Sequence, residues 1–103
     1  MYVEDVASMI PYFLENELNF SGPPHLSSVC NLSSGTGCSI RELAETISKV
    51  VGYEGKILWD ASKPEGPANK VFSNERMKSL GLAVSTPLEE GIRKTYQWFL
   101  TRQ

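Results

Sequence analysis

The stretch Ser28-Val29-Cys30-Asn31-Leu32-Ser33-Ser34-Gly35-Thr36-Gly37-Cys38-Ser39-Ile40-Arg41-Glu42, read on through Gly52 to Lys56-Ile57-Leu58-Trp59, decides the fold expected of this chain. Ser28 to Ser33 reads as a short strand, and Gly35-Thr36-Gly37 as the turn that ends it. Ser39-Ile40-Arg41-Glu42 is a capping box, in which serine and glutamate satisfy free backbone donors at a helix start. Ile40, Leu43, Ala44, Ile47, Val50 and Val51 then make one apolar face, and Gly52 closes the helix. Lys56 to Trp59 reads as a second strand. Strand, helix and strand compose a βαβ unit with two short parallel strands and a right-handed crossover. The expected class is therefore α/β, a small domain built on that unit with about four helices.

Outward from this centre the pattern is helical. Val6, Ile10, Phe13 and Leu14 recur at helical spacing between Val3 and Leu18, and Glu4 and Asp5 favour a helix N-terminus. Pro11 predicts a kink or a delayed start there. Asn19 to His25 is a loop by composition. Ser73 is placed to cap a short helix through Leu80, closed by Gly81. Thr86-Pro87-Leu88-Glu89 reads as a second capping box, opening a last helix whose inner face is Leu88, Ile92, Thr95, Tyr96 and Phe99. No internal repeat, low-complexity tract or domain boundary interrupts residues 1–103, so a single domain is expected.

The bulk numbers bound the function. A chain of 103 residues buries about 65% of its unfolded surface, enough for a modest core. A net charge of −2, with ten Lys and Arg scattered among twelve acids, excludes an electrostatic nucleic-acid footprint. No apolar run has the length of a membrane span, and the N-terminus does not read as a signal peptide. Two cysteines, Cys30 and Cys38, are too few for a disulfide framework and suit free thiols in a cytoplasmic protein.

The candidate chemistry is sparse. Ser34-Gly35-Thr36-Gly37 invites a dinucleotide-binding reading, but Ile40 stands where the third glycine of G-x-G-x-x-G belongs. A Tyr-x-x-x-Lys proton-transfer pair is absent: Val6, Asn16, Ile57 and Leu100 follow Tyr2, Tyr12, Tyr53 and Tyr96 by four. His25 has no second ligand at metal spacing. The segment Trp59-Asp60-Ala61-Ser62-Lys63-Pro64-Glu65-Gly66-Pro67-Ala68-Asn69-Lys70 is a stiff polar loop, open to two readings. It is either a solvated surface loop or an anion-binding one, in which a lysine meets phosphate and a carboxylate accepts donors from a guanine edge.

Four ordered stretches carry a resemblance. They are Tyr2-Val3-Glu4-Asp5-Val6-Ala7; Asn31 to Gly37 leading into Ser39-Ile40-Arg41-Glu42-Leu43-Ala44; Trp59-Asp60 with Ser62 to Gly66 and Lys70; and Leu80-Gly81, Pro87-Leu88, Gly91-Ile92 and Thr95-Tyr96-Gln97-Trp98-Phe99. Together they resemble the C-terminal, substrate-binding part of GDP-L-fucose synthase-like enzymes, NAD-dependent epimerases of the extended short-chain dehydrogenase/reductase superfamily. The resemblance implies a full enzyme that epimerises and reduces GDP-4-keto-6-deoxy-mannose with NADPH. It implies that the cofactor-binding Rossmann part lies outside this chain, which holds no cofactor and is not catalytic alone. Lys70 and Glu65 match loop residues that contact the GDP moiety, so a GDP-sugar is the expected partner, bound weakly or not at all by this part alone. Cys30, Cys38 and His25 match no catalytic position. Pro67-Ala68-Asn69 departs from the family's usual Thr-Pro-Arg, removing an arginine. A stand-alone interaction module is the alternative expectation, with a homodimer covering faces that would otherwise pack on the absent part.

Overall fold

The computed structural model describes residues 1–64, 66–67 and 69–102, and these form a helical structure. Four α-helices, α1 (Val3–Glu15), α2 (Ile40–Val51), α3 (Glu75–Ser79) and α4 (Leu88–Leu100), are joined by long extended segments and one 3-10 turn at Pro24–Leu26. No strand occurs among the described residues, so the expected βαβ unit is corrected. Ser28 lies in a turn, and residues 29–33 and 56–59 have no regular secondary structure. One cause is visible at the first segment, where the Val29 carbonyl accepts from Arg76 Nη1 at 2.8 Å rather than from a neighbouring strand. Two short parallel strands under one helix also lack the stability of a larger sheet. Leu58, 81% exposed, has no opposing layer.

Helix α2 forms for the reason its sequence states. Ser39 Oγ accepts from the Glu42 amide at 3.1 Å, and Glu42 Oε2 accepts from the Ser39 amide at 2.7 Å. Gly52 closes it at φ +71°, and the Tyr53 amide reaches back to the Ser48 carbonyl at 2.9 Å. The second capping box is not formed. Thr86 Oγ1 donates instead to Asp5 Oδ1, and Glu89 turns outward to Lys49 Nζ of α2 at 2.9 Å and to Arg93 at 2.7 Å. Pro87 is left as the N-cap, without a side-chain cap. Helix α3 starts after Asn74, with Ser73 Oγ accepting from the Glu75 amide at 3.3 Å.

Helix α1 runs unbroken through Pro11. The ring removes only the bond to the Ala7 carbonyl, and that residue is exposed to water. Its orientation departs from the sequence expectation. Asp5 and Met9 are its buried residues, while Ile10 and Leu14 face solvent, with Leu14 81% exposed. Asp5 causes this. Its carboxylate accepts from Ser85 Oγ at 2.9 Å, Thr86 Oγ1 at 3.0 Å and the Thr86 amide at 3.3 Å. The apolar stripe on the opposite side is thereby turned outward.

Packing is thin. Met9 and Met77 are the buried apolar side chains among the described residues, and α2 with α4 is the one helix pair in contact there. The chain exposes 8237 Å², against about 5800 Å² for a folded monomer of this mass. Its radius of gyration is 17.4 Å, where about 13 Å is usual at this length. Among the described residues no helix is long and apolar enough to cross a membrane.

Burial works to raise the Asp5 carboxyl, but the hydrogen bonds from Ser85 and Thr86 overcome it and hold the group below 3.8. A folded value below the unfolded one stabilises above that range, and the contribution is lost as pH falls through it. Asp5→Asn should therefore lower stability at neutral pH and reduce its loss in acid. Urea unfolding followed by circular dichroism between neutral pH and about pH 3 reads both effects. Glu42, Asp60 and Glu89 are also held low by hydrogen bonds and retain the remaining acid dependence.

Candidate functional site

The polar loop after Trp59 opens on a local turn. Asp60 Oδ1 accepts from the Ser62 amide at 3.0 Å and from Ser62 Oγ at 2.6 Å, an arrangement aspartate favours at turns. The Ser62 hydroxyl and amide hold the Asp60 carboxyl low, so it is committed to the turn as an anion. Before it, the Arg41 guanidinium lies over the Trp59 ring, 4.7 Å from its centroid, tying the loop entrance to the first turn of α2.

The far end of the loop is pinned by glycine. At Gly37 an added Cβ would lie 2.9 Å from Val71 Cγ2 and 3.9 Å from Asn69 Oδ1. Gly35 adopts φ +73°, and a Cβ there would stand 2.5 Å from Asn74 Nδ2. The Gly35–Gly37 turn is thus a seat for residues 69–74, and a side chain at either position would push the segment off. Lys70 lies in the chain between Asn69 and Val71, the two residues an added Cβ at Gly37 would meet, and Gly37 precedes the Ser39 cap by two residues. Lys70 is exposed, as is Lys63, and neither pairs with a carboxylate among the described residues. Glu65, the other residue expected at the site, lies outside the described residues.

His25, Cys30 and Cys38, which match no catalytic position, are placed as follows. His25 sits exposed in the 3-10 turn, and Cys30 and Cys38 are free thiols. Burial raises the Cys30 thiol and the Arg76 charge works against it, leaving a raised value. No cluster of three metal-ligating side chains occurs among the described residues. Two side chains without a sequence signal organise the region. Arg76 donates to the carbonyls of Leu26, Val29 and Ser21 and stacks on Phe20 at 4.8 Å, holding residues 20–30 against α3. Arg41 holds Trp59. Both act between segments distant in sequence, where periodicity carries no information.

Beside the glycine turn lies an open apolar groove of about 1130 Å³, walled by Tyr2, Cys38, Ile47, Leu88, Tyr96 and Phe99 among others. It separates the N-terminus of α1 from the facing sides of α2 and α4.

Over its whole length the chain is 40% identical to GDP-L-fucose synthase of Escherichia coli strain K12, covering 33% of that protein. It is 37% identical to GDP-L-fucose synthase 1 of Arabidopsis thaliana over 97% of the chain, covering 29% of the relative. With GDP-L-colitose synthase of Yersinia pseudotuberculosis it shares 35% identity over the full chain and 32% of the relative. No protein-family model matches. The chain spans about a third of the length of the curated relatives it matches.

The glycine seat makes a contrast that can be measured. Gly52→Ala meets no neighbour within 4 Å and should cost only the left-handed backbone strain, about 1–2 kcal/mol. Gly35→Ala has the same backbone requirement and also collides with the buried Asn74 amide, so it should cost more. Urea unfolding of the two variants checks this, and equal losses would mean that the 69–74 segment is not seated on the turn.

Proposed function

We propose that this chain, homologous over its whole length to one third of the GDP-L-fucose synthases, supplies nucleotide-side contacts for a reductase/epimerase acting on a GDP-sugar. Lys70 is the phosphate-facing charge, and Glu65 accepts donors from the guanine edge. The observation that supports this is the close approach of Asn69, Val71 and Asn74 to the Gly35–Gly37 turn, which brings the chain on both sides of an exposed lysine to the turn that precedes α2. An exposed lysine is a ready point charge for a diphosphate. The anionic end of the ligand would lie near an N-terminal helix turn, whose dipole favours negative charge.

In this reading the reaction is epimerisation and NADPH-dependent reduction of GDP-4-keto-6-deoxy-mannose in the cytoplasm. Hydride and proton transfer belong to residues outside this chain. This part holds and orients the nucleotide, so that binding energy remote from the reacting carbon assists at the sugar. One lysine and one carboxylate give weak binding alone, on the order of millimolar.

Isotope-labelled chain titrated with GDP tests the reading by nuclear magnetic resonance. Shifts are expected at the amides of residues 69–71 and Gly37. Lys70→Ala should weaken binding up to about fivefold, or about 1 kcal/mol, with the spectrum of the rest of the chain unchanged. If millimolar GDP moves no resonance near Lys70, the nucleotide role is wrong.

A further inference from the structure

Arg41 stands against the local rule of its helix. A cation in the first turn opposes the positive end of the helix dipole, yet Arg41 is the second residue of α2. It pairs with no carboxylate among the described residues. What it meets is the Trp59 ring, with the guanidinium carbon 4.7 Å from the centroid. Trp59 leads directly into the polar loop, and Asp60 and Ser62 turn the chain immediately after it. At the other end of that loop, Asn69 and Val71 come against Gly37. Gly37 and Arg41 are four residues apart, at most about 14 Å of extended chain. Residues 60–68 would span roughly 30 Å if drawn out straight. Both ends of the loop are therefore held at one end of α2, one by a stacked cation and the other by a glycine turn.

We propose that Arg41 is a positioning residue: stacked on Trp59, it anchors the entrance of the 60–70 loop to α2 and so sets where that loop presents its lysines to a nucleoside diphosphate. The inference rests on the nucleotide reading of the loop given above. Arg41 acts through Trp59 and does not touch the ligand. A loop held at one end only gives up more conformational freedom when a ligand arrives, so a second anchor raises affinity without adding a contact. An exposed cation on an aromatic face supports an effect of about two- to fivefold. The unfavourable place of the charge on its own helix is offset by the same ring, which accounts for arginine where the dipole favours an acid.

The test is a titration of the isotope-labelled full chain with GDP, read at the amides of Gly37 and residues 69–71, as a double-mutant cycle with Trp59. Arg41→Gln should weaken GDP about two- to fivefold. Arg41→Lys keeps a cation over the ring and should restore most of that loss. In a Trp59→Leu background, Arg41→Gln should cost nothing further, because its route to the loop is already cut. A loss that persists undiminished in that background overturns the proposal, since Arg41 would then be touching the diphosphate itself. GDP affinity unchanged by Arg41→Gln overturns it as well. The anchor is also read without ligand, by the heteronuclear Overhauser effect at the amides of residues 60–63. Arg41→Gln should lower it and Arg41→Lys should not, and an unchanged value sinks the anchor whatever GDP does. A parent chain that binds no GDP, with the loop still loosened by Arg41→Gln, sinks the nucleotide reading and leaves the anchor standing.

Discussion

The carboxylate of Asp5 carries the tertiary structure further than any apolar contact does. It takes three hydrogen bonds from residues 80 and 81 positions away in the chain, and through them ties the start of α1 to the segment that leads into α4. Tyr2 then lies against Gly91, where an added Cβ would meet Tyr2 Cβ at 3.2 Å, so the approach depends on glycine in the first turn of α4. Because a buried acceptor left without donors is costly, the contact is directional as well as attractive. It fixes which side of α1 is inside, and so which side is not.

That choice explains why a sequence with ample apolar residues yields so small a core. Helix α1 has two stripes, one carrying Asp5 and Met9, the other Val3, Ala7, Ile10 and Leu14. Hydrophobicity alone would bury the second, and the polar tether buries the first. The exposed stripe is therefore a consequence of a specific hydrogen-bond network, not of a poorly patterned helix.

The parts legible in the sequence are those fixed within one turn of chain. The Ser39–Glu42 box and Gly52 bound α2 as read, because both ends are satisfied by residues three to five positions apart. Thr86 and Glu89 have the same spacing and chemistry, yet the box does not form there. Each group has a better partner elsewhere, Asp5 for the hydroxyl and Lys49 with Arg93 for the carboxylate. The expected strands failed for a related reason, since a ladder needs a neighbour, and Arg76 takes the Val29 carbonyl. At the site, the strand-to-helix glycine turn was legible as a turn. Its second role, as the seat for the Lys70 segment, was not, because it depends on what crosses above it.

A nucleoside diphosphate is an anion, and this chain carries a net charge of −2, so the long-range field opposes binding. A single exposed lysine facing a phosphate is comparable to a surface ion pair, worth about 0–1 kcal/mol. That contribution supports weak binding only. The same pair strengthens when water is excluded around it, since the effective dielectric falls.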